Sequence, residues 1–317
     1  MGAGGVRWLG SGAVSRRPLP PSRGRPTVAG PSRKRLAREA RAAAFVRRPF
    51  DGRADETDLV ALREVVPSAT APLALAPGPA AEHPDRAVTL ATVLPLAWPA
   101  LVRRDGSVVL ALQTPPRSGD LALDLGQALL AALAGEPGAG LAGLGIAGPG
   151  SPRLQELVAP DPVAVTVHPG FDWWLADADA GALAEDVTAS LEQANAGVVP
   201  TARLASVSAA YWCRIGDRCH LRWALPEQEE SLLDGLARLH VGGGLGLGDG
   251  TRYAGAFRAH GIVMPVWDLP ASRVAEEMEG PAAAFRDRLD DALTGGSLTA
   301  GERRARAGVV GRQLTLR

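Results

Sequence analysis

Cys213, Cys219 and His220 form the one cluster of metal-ligating residue types in the chain. Thiolates and an imidazole at short spacing are the ligands of a structural zinc site. Geometry argues against that use here. The segment YWCRIGDRCHLRWAL reads as a β-hairpin turning at Gly216-Asp217. A two-residue turn sets Cys213 opposite His220 and Cys219 opposite Arg214, with the two thiols on different faces of the sheet. Trp212, Cys219, Leu221, Trp223 and Leu225 then share one apolar face. A three-residue turn would set Cys213 opposite Cys219, and the apolar pattern tolerates that register too. The glycine-first turn favours the two-residue form, so the expectation is buried, inert thiols and no metal.

Aromatic and charged side chains coincide in two places. Asp172-Trp173-Trp174 lies in the first half of the chain; Arg258, His260, Trp267 and Asp268 lie in the second. If the halves are related copies, these segments fall in corresponding places and line a groove between them. The competing reading makes Trp174 and Trp267 ordinary core and the charges its rim. The five histidines, His83, His168, His220, His240 and His260, are scattered singly. There is no Gly-x-Ser-x-Gly elbow and no His-Glu-x-x-His, so no catalytic set is identified.

Two glycine patterns resemble nucleotide loops. Gly143-Leu-Gly145-Ile-Ala-Gly148 matches the dinucleotide fingerprint, but it follows a helix rather than a strand, and Pro149 and Pro152 forbid the helix that would hold a pyrophosphate. GGGLGLGDG, Gly242 to Gly250, lacks the lysine of a phosphate-cradling loop and reads as a helix C-cap running into a mobile loop. No cofactor is expected.

The elements that must carry these residues follow from periodicity. A short helix capped by Asp55 or Thr57 runs through Glu64 to Val65-Val66-Pro67; a polar, Pro-rich link leads to His83; Ala87 to Leu94 is a strand. ALVRRDGSVVLAL is a hairpin turning at Asp105-Gly106, and a helix from Asp120 to Leu133 puts Leu121, Leu125, Ala128, Leu129 and Ala132 on one face. The second half gives a helix over 181–195 with Leu183, Val187, Leu191 and Ala194, then Val198-Val199-Pro200, the cysteine hairpin, and a helix from Glu227 to His240. Each half closes on a strand-like run near a tryptophan, DPVAVTVHPGFDWWL and GIVMPVWDL. A last helix, Ala271 to Leu293, is expected to bend or break at Gly280-Pro281. The expected fold is α+β: two divergent α-β-hairpin-α-β copies packed into one body, over 49–178 and 179–296. A glycine-rich linker at 135–152 lies within the first copy; a disordered basic tail, 1–48, precedes both, and a basic segment, 297–317, follows.

Charge sharpens this division. Residues 1–48 hold twelve basic side chains against one acid, a net of +11; residues 49–296 hold 17 arginines against 32 acids, a net of −15; the remainder is +4. An acidic body repels polyanions, so any nucleic-acid contact belongs to the ends, above all the basic tail. No stretch of 18 apolar residues exists, which excludes a spanning helix, and Ser15-Arg16-Arg17-Pro18-Leu19 lacks the apolar run of an export signal. Two cysteines suit a reducing compartment, and the expected location is cytoplasmic.

The segments RRPFDGRADETDLVALREVVPSATA, VHPGFDWWL, NAGVVPTARL, YWCRIGDRCHLRWALPEQEESLLDGLARLH, GTRYAGAFRAHGIVMPVWDLP and ERRARAGVVGRQLTLR resemble an uncharacterised actinobacterial family, a domain of unknown function, over about residues 47 to 317. Lys34 and Asn195 are the sole lysine and asparagine, the composition of a high-GC genome. The resemblance implies no established activity. The leading expectation is a cytoplasmic, non-enzymatic binding or regulatory module with an unidentified protein or small-molecule ligand. The rival is a small-molecule enzyme that uses the groove between the copies, with Arg258, His260 and Asp268 as its polar groups.

Overall fold

Helix α1, Glu56–Glu64, is buried along seven consecutive residues, Glu56 to Leu62, which requires neighbours on every side. Two β-sheets supply them. The structure, a computed structural model, describes residues 45–141, 144–145, 147–148, 150–175 and 185–311, all belonging to one compact unit. Most of the expected basic tail, parts of the Gly143–Gly148 pattern, the start of the 181–195 helix with Leu183, and residues 312–317 lie outside the described residues.

The first sheet holds β1 (Ala69–Pro72), β2 (Val88–Ala91), β3 (Ala100–Val102), β4 (Val108–Ala111), β5 (Gly140–Leu141) and β6 (Thr166–Val167), in the order β5-β3-β4-β2-β1-β6. Strands β2 and β4 are parallel, and the other pairs are antiparallel. The β3–β4 hairpin turns where expected, with Gly106 at φ +86° and the Ser107 carbonyl accepting from Arg103 N–H. Helix α3, Leu121–Leu133, is capped by the Asp120 side chain on Ala122 N–H and buries the five apolar residues read from its periodicity.

Two segments differ from the sequence reading. The link after Pro67 contains β1 and a short helix α2, Pro77–Glu82, and the glycine-rich linker opens with edge strand β5. Composition misleads here because Gly140 has a packing role: a Cβ at that position would overlap the Trp98 ring. After β5, helix α4 (Leu154–Leu157) packs Leu154 and Leu157 into the core shared with α1 and α3.

The second sheet is antiparallel throughout: β7 (Thr201–Arg203), β8 (Ala210–Ile215), β9 (Arg218–Trp223), β10 (Arg252–Ala259) and β11 (Ile262–Leu269), in the order β10-β11-β9-β8-β7. The β8–β9 register pairs Cys213 with His220 and Arg214 with Cys219, the two-residue-turn form. Strand β10 was not read from the sequence. One face of this sheet, with Tyr211, Phe257, Ile262 and Met264, joins the α1 core. The other carries Trp212, Leu221, Trp223 and Trp267 and packs with helices α6 (Glu229–Val241), α7 (Glu279–Leu293) and α8 (Ala300–Gly311).

The halves share a series of elements but not a strand order. In the first sheet the closing strand β6 lies beside β1, and β2 intervenes between β1 and the β3–β4 hairpin. In the second, β7 pairs with the hairpin directly and β11 lies on the hairpin's other side. The fold is α+β, and the expected duplication does not extend to topology.

Further differences have local causes. Pro281 does not break α7, because it falls in the first turn, where its missing N–H has no intrahelical acceptor. The loop after α6 is anchored rather than free: Leu245 and Leu247 are buried, Trp267 Nε1 donates to the Leu245 carbonyl and Arg288 to that of Gly246. Helix α5, Glu185–Ala196, leaves Val187 exposed and half-buries Leu191 and Ala194, so the expected apolar face is only partly covered. The C-terminal basic segment folds against the body through α8, where Arg306 pairs with Asp234 and Glu230 of α6.

Candidate functional site

The seven residues expected to line a groove fall in three places. Trp173 and Trp174 close one face of the first sheet, packing with Ala91, Leu94, Val109 and Ala111. Trp173 Nε1 donates to Ser68 Oγ at 2.9 Å and Trp174 Nε1 to the Val93 carbonyl at 3.0 Å, while Phe171 stacks on Trp174 at 4.3 Å. Asp172 stands beside Asn195, whose Oδ1 accepts from Phe171 N–H. Trp267 is fully buried on the far side of the second sheet among Trp223, Tyr253 and Phe285. Asp268 neighbours it and accepts from Arg252, with His220 Nδ1 3.1 Å away. Arg258 and His260 sit at the opposite end of β10–β11, roughly 20 Å along the strands at the usual rise per residue.

His260 has a structural role. Its Nε2 lies 3.0 Å from Glu64 Oε1 and 3.1 Å from Arg63 Nε, so it ties the end of α1 to the β10–β11 turn. This bond holds the Glu64 carboxyl below its usual range, against the opposing effect of burial. Arg258 is bound to Glu229, which also accepts from Arg47. None of these groups converges with the tryptophans on a common cavity.

The metal-type cluster is likewise separated. Cys213 and Cys219 are buried on opposite faces of the sheet, and burial pushes the Cys213 thiol up. No group of three or more metal-ligating side chains occurs among the described residues.

A cavity of about 300 Å³ lies instead beyond the carboxyl ends of the two parallel strands. Topology explains it. To place β3 on the far side of β4, the chain after β2 must cross the end of β4, and the crossing segment Pro95–Ala97 is tight enough to hold Leu96 and Ala97 at φ 57° and 53°. Backbone of this kind in non-glycine residues costs on the order of 1 kcal/mol or more each and is concentrated at binding sites. The crossing leaves Leu96 83% exposed at the cavity rim. Trp98 is seated against Gly140, and Pro99 fixes the start of β3 by accepting from Ala111 N–H.

The opposite wall is the loop from β4 into α3. Arg63 of α1 donates to the Leu112 and Thr114 carbonyls, and Gln113 donates to the Leu62 and Val66 carbonyls, so the end of α1 fixes the start of this loop. Asp124 fixes its end by accepting from the N–H groups of Arg117 and Ser118 at 2.7 to 3.2 Å. Arg117 and Gln127 also line the cavity, and neither side-chain head is hydrogen-bonded among the described residues. The lining is thus apolar through Leu96, Trp98, Pro99, Pro115 and Leu144, with one free cation and one free amide.

Apart from Leu144 and Gly145, which fall in the glycine pattern set aside on sequence grounds, none of these residues was singled out from sequence. The signal was present as strand, short polar loop and capped helix, VVLALQTPPRSGDLALDLGQALL, the strand-to-helix junction at which open α/β sheets place ligands. The rule applies to parallel strands, and nothing local showed that β2 and β4 are parallel.

Fold and cavity define an α+β protein of two sheets joined through one buried helix, with a pocket at the ends of a parallel strand pair. The chain belongs to a family of unknown function, DUF5926, whose model matches residues 49–317. No curated protein and no solved structure matches it. No helix among the described residues is long and apolar enough to cross a membrane.

Proposed function

We propose that the protein is a cytoplasmic, non-enzymatic binding module that takes a small organic acid with an apolar, planar body into the cavity between Trp98 and Arg117. The observation that carries this reading is the Arg117 guanidinium, without a partner among the described residues, at an apolar pocket beyond the carboxyl ends of β2 and β4. Pockets that are mainly apolar with a few convergent polar groups are the ordinary form of a small-molecule site. Trp98 offers a flat wall, and Arg117 and Gln127 offer donors to an acidic group. Asp124, the acid in the lining, is already engaged by two backbone N–H groups, which suits a positioning role better than proton transfer. This reading does not use the groove residues, because Trp173 and Trp174, Arg258 and His260, and Trp267 and Asp268 occupy three separate places.

The test is thermal denaturation against a panel of small aromatic and aliphatic carboxylates. Members that fit should raise the melting temperature of the wild-type protein. The Arg117→Ala variant should bind them about tenfold or more weakly, the worth of one charge-assisted hydrogen bond. Equal responses from wild type and variant, or no response from either, would refute the reading.

A further inference from the structure

We propose that a second, separate site for a small oxyanion lies at the N-terminus of α1, in a cavity of about 470 Å³ between that helix, the β7–β8 loop and the end of β9. This is independent of the acid pocket beside Arg117.

The argument begins with a missing cap. Asp55 occupies the N-cap position of α1, but its carboxylate makes no cap hydrogen bond. It is held instead by Arg53, at 2.7 and 2.8 Å, and by Val163 N–H. The first-turn N–H groups of a helix have no intrahelical partners, and here those of Thr57 and Asp58 meet no acceptor among the described residues. Thr57 lines the cavity, and it is only 7% exposed. Its hydroxyl likewise has no hydrogen-bond partner among the described residues. A hydroxyl, free backbone N–H groups and the positive end of the helix dipole therefore occur together beside this cavity, the combination that binds phosphate and similar anions.

The carboxylates of the first turn and of Glu227 are each paired with an arginine, and Glu279 is held by the Ala205 and Ser206 N–H groups. Glu56 pairs with Arg48, Asp58 with Arg203, Asp55 with Arg53 and Glu227 with Arg286.

The far side of the cavity describes the rest of the ligand. The loop carrying Ser206 and Ser208 is held in place by Glu279, whose carboxylate accepts from Ala205 and Ser206 N–H. Glu227 keeps one oxygen, Oε2, without a hydrogen bond while the other is 2.9 Å from Arg286. An oxyanion at Thr57 with hydroxyl groups reaching toward Ser208 and Glu227 satisfies both ends. The ligand class is thus a small phosphorylated polyol, with inorganic phosphate as its minimal form.

The test uses the full chain at constant ionic strength, with sodium chloride, inorganic phosphate and glycerol phosphate compared by thermal denaturation and by calorimetric titration. Phosphate should stabilise the protein beyond chloride, and glycerol phosphate should bind at least as tightly. Thr57→Val keeps the shape and the N–H but removes the hydroxyl, and should weaken phosphate binding about tenfold, whereas Thr57→Ser should retain it. Arg117→Ala should leave phosphate binding unchanged, which separates this site from the acid pocket. No phosphate effect beyond chloride would overturn the proposal, as would equal binding by the Val and Ser variants. Should Thr57→Val prove too unstable to measure, saturable phosphate binding by Thr57→Ser with a wild-type affinity, lost in Ser208→Ala and Glu227→Gln together for glycerol phosphate alone, supports it; loss for both ligands or neither overturns it.

Discussion

The Tyr211 hydroxyl donates to Asp58 Oδ1 at 2.7 Å, and through this bond the second sheet grips the first turn of α1. Arg203 donates to both oxygens of the same carboxylate, at 3.1 and 3.0 Å. Burial pushes the Tyr211 hydroxyl well above its usual range, so it remains a donor throughout the accessible pH range. Tyr211→Phe should destabilise the protein by about 1.5–3 kcal/mol, the worth of a hydrogen bond to a charged acceptor. Asp58→Ala should cost more, about 3–5 kcal/mol, because it strands a buried hydroxyl and a partly buried guanidinium. Urea denaturation of the two variants measures both values, and a Tyr211→Phe protein as stable as wild type would show that the bond contributes nothing.

Glu64 gives a pH dependence of known sign. Its carboxyl titrates below the usual range chiefly because of the bond to His260, so the ionised form is favoured in the folded state. A depressed carboxyl pKa contributes stability above its unfolded value, about 4.3, and loses it as pH falls through the folded value. The melting-temperature gap between wild type and Glu64→Gln should therefore be full above the unfolded value, about 4.3, and shrink as the pH falls further below it. A gap that widened on acidification would contradict the assignment.

Cys213 and Cys219 cannot approach each other while the β8–β9 register holds. Both are buried, so a thiol reagent should label neither in the native protein and both after denaturation. Elemental analysis of protein purified without chelator should give far less than one zinc per chain, and stoichiometric zinc lost in Cys213→Ser would require a different geometry.

Gly140→Ala places a methyl group in the Trp98 ring. The ring must move, and with it one wall of the acid pocket. The expected outcome is a loss of about 1–3 kcal/mol in denaturation and weaker binding of any carboxylate that depends on Arg117. Unchanged stability would mean that β5 does not hold Trp98.

Where residue pattern alone decides structure, the sequence was a good guide. The β8–β9 register followed from a two-residue glycine turn, and α3 from its cap and its leucines, because both are local. What failed was non-local. Nothing in Ala69–Pro72 or Gly140–Leu141 marks a strand until its partner is known, and β10 is interrupted by an irregular register at Gly255. The matching Val-Val-Pro exits suggested duplication because proline acts identically on any chain that leaves a helix; they carry no information about which strand comes next. The acid pocket stayed hidden for the same reason, since a parallel strand pair brings Leu96 and Arg117 together through pairing rather than through spacing.

Burial of α1 from both sides has a consequence for how the chain is made. Asp58 leaves the ribosome 153 residues before Tyr211, and Glu64 precedes His260 by 196. The helix is therefore synthesised well before the strands that complete its packing, and until β8 to β11 emerge one of its sides has no cover. Neither half can finish folding on its own schedule. The nascent first half must wait, exposed on one flank, for a sheet encoded far downstream of it, which places its greatest exposure to aggregation and to proteases during translation rather than after it.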